Sequence, residues 1–379
     1  MNSWTNSSIS SVKKKSMIEA DLHFMRLALD LAKKGLGRTA PNPCVGAVLV
    51  RDGNIIGSGY HRNAGTPHAE VNAIADAGGT SACFGATLYV TLEPCNHTGR
   101  TPPCSQAVLA AGIRRVVIGM ADPNPVAAGG ADFLRNQGVI VEIGVLEQEC
   151  HQLNRPFIKH STTGLPWVVL KAGMSLDGKI SRVRGQGGPI TGPESQQRVH
   201  ELRDQLDAIL IGIGTALIDN PALTCRLDNG RDPLRLILDR QLRLPPDAKM
   251  LHQQSDAATW IFCENEASVE KQKLLEQAGA IIHRIAVDHN GQLDLKQVLQ
   301  RICSAGLTSV LVEGGATVHG AFLRAGLADE MQLFLAPYFI GDTGTPLLTG
   351  SVPLNLKLME MTTEKLGEDV LLRGLLRTD

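Results

Sequence analysis

TLEPCNHTGRTPPC (Thr91–Cys104) decides the reading of the first half of this chain. Its first residues close a short apolar run, ATLYVTL (Ala86–Leu92), which reads as a buried strand. Cys95 follows that strand, and Cys104 stands just before a predicted helix over Ser105–Ala111 that stops at Gly112. Upstream, His68-Ala69-Glu70 opens another short helix, reaching about Ala77. One imidazole and two thiolates, from His68, Cys95 and Cys104, are three strong zinc ligands that leave a fourth tetrahedral position for water. A metal so held lowers the pKa of that water toward neutrality. Glu70 lies two residues from His68, as a proton carrier must. A closed structural site would need a fourth ligand, for which His97 is the neighbour in sequence.

Outward from this core the pattern alternates. Asp21 is a candidate cap for a helix through Phe24, Leu27, Ala28 and Leu31, ending at Gly35. VGAVLV (Val45–Val50), the pair Asp52-Gly53 and NIIGSGY (Asn54–Tyr60) read as a hairpin. RRVVIGM is a strand, ADFLRNQG a helix and VIVEIGV another strand. Leu146–His160 reads as one helix leading away, and Ser161–Gly164 as a linker. The expected fold class is therefore α/β, a sheet covered by helices.

Length and composition set the outer bounds. At 379 residues, two domains are expected, with bounds at 18–160 and 161–379. The net charge of −1 and an aromatic content of 4% speak against a surface for nucleic acid, which wants basic charge and stacking rings. Eight cysteines spread over the whole chain do not form a disulfide framework. The polar start, MNSWTNSSISSVKKKS, reads as a mobile lead-in without a signal sequence, and no apolar run approaches membrane length. A cytoplasmic protein with no membrane or nucleic-acid partner is expected, and a homo-oligomer.

The second half alternates again and is not a copy of the first. PWVVLKAGM, AILIGIGT, LRLILD, TWIFCE, AIIHRIA, SVLVEGG and MQLFLAPYFIG are strands; TGPESQQRVHELRDQ is a helix with Thr191 as candidate cap; the tail from Leu356 is a hairpin. Gly212–Thr215 and Glu313–Gly320 each follow a strand, and the second opens a helix. Glycines there admit a diphosphate close to the backbone, and a helix start favours its charge. Neither stretch is a G-x-G-x-x-G, so a standard dinucleotide unit is not indicated.

The order His-x-Glu, then Pro-Cys…Cys, is that of zinc deaminases. The eight residues between Cys95 and Cys104 are more specific. With PNPCVGAVLV upstream and ADPNPVAAGG downstream, the segment closely resembles the deaminase domain of the bifunctional riboflavin-biosynthesis deaminase/reductase family. That resemblance implies a cytidine-deaminase-like three-layer domain acting on a phosphorylated pyrimidine, a diaminopyrimidinone ribotide. It implies that Asn42 bonds the pyrimidine and that the insert at His97, Gly99, Arg100 and Thr101 shapes the ribose-phosphate end.

LKAGMSLDGKI, VHELRDQLDAILIGIGTALIDNPALTCR and LVEGGATVHGAFL resemble the reductase domain of the same family. This implies a dihydrofolate-reductase-like fold using NADPH to reduce the ribosyl chain to ribityl. By that resemblance Lys171, Asp219 and Glu313 are catalytic, and Glu313 also contacts substrate. Arg203, Leu223 and Arg226 bind substrate, the arginines through its phosphate. Gly173, Thr215 and Asp219 contact the cofactor, as do Gly314, Gly315, Ala316, Thr317, Val318, His319 and Gly320. One departure is Pro189, where the family usually carries a Trp near the cofactor. It motivates an alternative: an active deaminase with a degenerate, binding-only second half.

Overall fold

A computed structural model describes residues 5–98 and 102–378. The chain divides into two compact units, the first ending at Thr163 and the second beginning at Gly164.

The first unit is a five-stranded sheet in the order β2-β1-β3-β4-β5. Its strands are β1 (Gly46–Arg51), β2 (Asn54–Tyr60), β3 (Thr87–Leu92), β4 (Arg115–Met120) and β5 (Ile140–Ile143). Asp52 and Gly53, with φ of 52° and 78°, close the antiparallel β1–β2 hairpin in a left-handed turn. β3, β4 and β5 are mutually parallel. Helices α1 (Thr5–Lys33) and α5 (Glu147–Leu153) pack together, while α2 (Ala69–Asp76), α3 (Cys104–Ala110) and α4 (Gly130–Asn136) form a second group. One apolar core runs between sheet and helices.

Two features differ from the sequence reading. α1 starts at Thr5 rather than Asp21, since no Gly or Pro interrupts Thr5–Lys33. Asp21 is not a cap: its carboxylate accepts from Tyr89 Oη at 2.8 Å and Arg115 Nη1 and Nη2 at 2.8 and 2.7 Å. The expected helix over 146–160 is broken at Asn154, which separates α5 from α6 (Arg155–Thr163). The buried Asn154 amide is turned to the Cys44 N–H at 2.8 Å and Cys44 carbonyl at 3.1 Å. α6 also occupies most of the stretch expected as a linker.

The second unit contains β6 (Trp167–Ser175), β7 (Lys179–Ser181), β8 (Ala208–Gly212), β9 (Leu234–Leu238), β10 (Thr259–Glu264), β11 (Ala280–Ile285), β12 (Ser309–Val312), β13 (Glu330–Ala336), β14 (Thr345–Pro346), β15 (Leu356–Leu366) and β16 (Asp369–Thr378). Nine of these make one sheet in the order β11-β10-β9-β8-β12-β6-β13-β16-β15. The strands from β11 to β13 are parallel, and the β15–β16 hairpin adds antiparallel to that edge. Its helices are α7 (Pro193–Gln205), α8 (Ile213–Asp219), α9 (Val269–Gln277), α10 (Leu295–Ser304) and α11 (Ala316–Arg324). Gly192, not Thr191, is the N-cap of α7; Asp369 accepts from the Gly192 N–H and the Ser195 hydroxyl there. All eight cysteines are free thiols.

Candidate active sites

His68 is the N-cap of α2, Cys95 lies just beyond β3, and Cys104 is the first residue of α3. Strand end and helix starts converge, bringing one ligand atom from each residue within 4.8 Å of the others. His68 Nδ1 is 3.2 Å from Cys104 Sγ and 3.6 Å from Cys95 Sγ. Tetrahedral zinc, with Zn–S of about 2.3 Å and Zn–N of about 2.0 Å, wants N···S separations near 3.5 Å. The donor set therefore fits zinc in both chemistry and spacing. His97 stands outside this group, so it does not close the site with a fourth ligand.

The Cys104 thiol donates to Cys95, whose pKa falls to about 4, while that of Cys104 is driven up by the same bond and by burial. The Cys104 N–H adds a bond to Cys95 Sγ at 3.4 Å. Glu70, in the first turn of α2, is 3% exposed. Burial lifts its pKa to about 7.

His68, Glu70 and Cys95 line a cavity of about 400 Å³ together with Asn42, His61, Glu93, His97, Asp122 and Asn124. Asn42 Nδ2 is 3.0 Å from His61 Nε2, and His61 Nδ1 is 3.3 Å from the Pro67 carbonyl. Burial lowers the pKa of His61. Burial raises that of Asp122 to about 6. His61, Glu93, Asp122 and Asn124 are cavity residues that the sequence reading did not single out; Glu93 lies within TLEPCNHTGRTPPC and Asp122 and Asn124 within ADPNPVAAGG, while His61 directly follows NIIGSGY. Gly99, Arg100 and Thr101 lie outside the described residues.

In the second unit the expected residues form two groups. Lys171 on β6, Glu313 after β12 and Arg203 on α7 are one partly buried charge cluster. Arg203 grips Glu313 with Nε and Nη2 at 2.8 and 3.0 Å and donates Nη1 to the Thr224 carbonyl at 2.9 Å. Lys171 Nζ is 3.8 Å from Glu313. Burial works against the Glu313 charge, but Arg203 and Lys171 overcome it and hold its pKa at about 2. Burial lowers the pKa of Lys171. The stretch holding Leu223 and Arg226 runs beside α7: Leu223 is buried and Cys225 Sγ donates to the His200 carbonyl.

The other group is the paired strand–helix junctions β8–α8 and β12–α11, on adjacent parallel strands. They pack so closely that a Cβ on Gly212 would lie 2.7 Å from Val318. Gly315 takes φ of 58°, and a Cβ there would be 3.1 Å from Thr215 Oγ1. Neither helix start has a side-chain cap. This is a fitting place for the diphosphate of NADPH, outside the carboxyl ends of parallel strands. Gly314, Ala316, Thr317 and Val318 belong to the same junction. His319 and Gly320 do not face it openly: both are buried, and a Cβ on Gly320 would meet the Thr349 carbonyl at 2.2 Å. Gly173 packs on Thr191. Asp219 ends α8 beneath Gly187, whose added Cβ would overlap its carboxylate, and burial raises its pKa. Pro189 is exposed, and the next residue, Ile190, accepts from Tyr338 Oη.

Fold and sites define a zinc deaminase joined to an NADPH-dependent reductase. The family "Cytidine and deoxycytidylate deaminase zinc-binding region" matches residues 18–120, and "RibD C-terminal domain" matches 166–372. The riboflavin biosynthesis protein RibD of Aquifex aeolicus is 40% identical, over 93% of this chain and 98% of its own length. That of Escherichia coli is 41% identical, over 87% and 91%. A Thermotoga maritima structure described as a diaminohydroxyphosphoribosylaminopyrimidine deaminase/5-amino-6-(5-phosphoribosylamino)uracil reductase is similar at a TM-score of 0.83 and 38% identity, covering 96% of this chain and all of that one. The chain belongs to the RibD family, the bifunctional deaminase/reductase enzymes of riboflavin biosynthesis. Its first unit has the cytidine-deaminase-like fold and its second the dihydrofolate-reductase-like fold. Nothing among these relatives favours a binding-only second half.

Proposed function

We propose that the substrate is 2,5-diamino-6-(5-phosphoribosylamino)pyrimidin-4(3H)-one, deaminated in the first unit, and that the product is then reduced at its ribosyl chain in the second. The observation that carries this is the buried Glu70 beside the His68–Cys95–Cys104 triad, in a cavity large enough for a pyrimidine. Zinc, when bound by those three residues, supplies an acidified water. Glu70 takes one proton from the attacking water and passes it to the ring nitrogen, then takes the remaining hydroxyl proton as the tetrahedral carbon collapses and passes it to the amine, which leaves as ammonia. Its burial favours uptake of a proton, since desolvation disfavours the charged carboxylate. Asn42 bonds the pyrimidine, its amide held by His61.

NADPH, when bound at the glycine junctions, supplies the reducing equivalents. Lys171, Asp219 and Glu313 orient and polarise the reacting end of the substrate. Arg226 meets its phosphate, with Arg203 and Leu223 beside it. The Arg203–Glu313 pair supports a role for Arg203 in fixing Glu313 as well. The working domain bounds are 18–160 and 161–379. Partners are small molecules, with neither nucleic acid nor membrane, and the enzyme is a cytoplasmic homo-oligomer; among the described residues no helix is long and apolar enough to cross a membrane. Ammonia release from this ribotide by the zinc-loaded chain tests the first step. Its absence there contradicts the substrate assignment.

A further inference from the structure

Glu93 belongs neither to the metal triad nor to the chemistry above, yet it is a buried carboxylate, 8% exposed, at the end of β3. Its Oε2 accepts the Asp122 N–H at 3.1 Å. Its Oε1 accepts the N–H groups of Gly129 at 3.1 Å and Ala131 at 2.9 Å. One side chain thus ties both ends of the 121–131 loop. The same loop meets the strand end on the other side of Cys95, where the Asn96 N–H donates to the Ala127 carbonyl at 2.9 Å. Between them Gly130 lies so close that a Cβ would be 1.8 Å from the Pro94 carbonyl. Contacts at Glu93, Pro94 and Asn96 therefore bracket the ligand Cys95. From this loop Asp122, Asn124 and Ala127 form part of the cavity wall.

We propose that Glu93, at the edge of this cavity with both carboxylate oxygens held by the 121–131 loop, is a positioning residue for deamination: through that loop it sets the wall of Asp122 and Asn124 against which the substrate sits. The inference rests on the deaminase reading. The residue type matters. A carboxylate offers two acceptor oxygens, whereas Gln offers one oxygen and a donor NH₂. In Glu93→Gln one side of the clamp sets donor against donor, leaving a buried N–H unpaired.

The test is steady-state deamination by the zinc-loaded full chain carrying Glu93→Gln, with zinc content and reductase turnover measured on the same sample. KM rises about 10–100-fold, as expected for losing a buried hydrogen bond from the binding wall. The zinc content, the reductase turnover and, within about threefold, kcat stay as they are. An unchanged KM, a loss confined to kcat, or loss of zinc overturns the proposal. Should Glu93→Gln not fold, Ala131→Pro decides: it deletes one donor to Glu93 in a first helical turn that tolerates proline. It too raises KM, and an unchanged KM overturns the clamp. Failure of the underlying deaminase reading shows separately, as no ammonia from the unsubstituted chain.

Discussion

Glu70 carries the strongest expectation for a single residue. Glu70→Gln keeps the shape of a side chain that is 3% exposed but cannot move protons. We expect zinc to stay and ammonia release to fall about 10²–10⁴-fold, the usual contribution of a positioned acid–base group. Metal analysis beside an ammonia assay checks this, and turnover at the unsubstituted rate removes Glu70 from the mechanism. At this scale the metal triad was legible because zinc restricts both residue type and spacing. His61, Glu93, Asp122 and Asn124 were not, because each is an ordinary polar residue until the cavity brings it to the triad. The Arg203–Glu313 pair was equally hidden: resemblance placed both near substrate, but only the fold shows them gripping each other at 2.8 and 3.0 Å.

Helix α2 bears Glu70 and starts at His68, so its seat on β2 matters. The alternate glycines Gly57 and Gly59 make that seat: a Cβ at Gly59 would lie 2.5 Å from the Ala73 nitrogen, and one at Gly57 2.4 Å from the Ala73 carbonyl. Gly59→Ala should lower stability by about 1–3 kcal/mol, as overpacking does, and weaken zinc retention. Thermal unfolding with metal analysis reads both, and an unchanged variant contradicts the close packing. In the second unit, Glu313→Gln leaves the partly buried Lys171 and Arg203 without their carboxylate. A loss of about 1–3 kcal/mol is expected, the cost of leaving partly buried hydrogen-bonded charges without their partner. The depressed Glu313 pKa gives a pH signature as well. Its stabilisation is whole above the ordinary carboxylate pKa of 4.5 and is lost as pH falls toward about 2. The acid limb of the stability curve of the unsubstituted chain should therefore flatten in Glu313→Gln, and an unaltered limb counts against the pair. The hairpin and most strands were readable from Asp-Gly and short apolar runs. The start of α1 and the break at Asn154 were not, since Asp21 serves Tyr89 and Arg115, and Asn154 serves Cys44, both remote in sequence.

Over the whole molecule, two α/β units were legible from the alternation of elements, but the nine-strand order was not. β12 inserts between β8 and β6, and no local pattern announces such a crossover. Each unit has its own apolar core. Zinc removal should then act on one activity only. A chelated enzyme should release no ammonia from the ribotide yet still oxidise NADPH when given the deaminated intermediate. Loss of both activities contradicts two separately built sites. Pro189, after the glycine-rich Gly185–Gly188 loop, is where the second unit departs from its family in the reading of the sequence, while the Lys171–Glu313–Arg203 cluster is intact. The most direct measurement follows ammonia release and NADPH absorbance together on one sample of zinc-loaded chain supplied with the ribotide and NADPH. The account predicts one NADPH oxidised for each ammonia released, with ammonia appearing first. Ammonia without NADPH oxidation, or no ammonia at all, contradicts it.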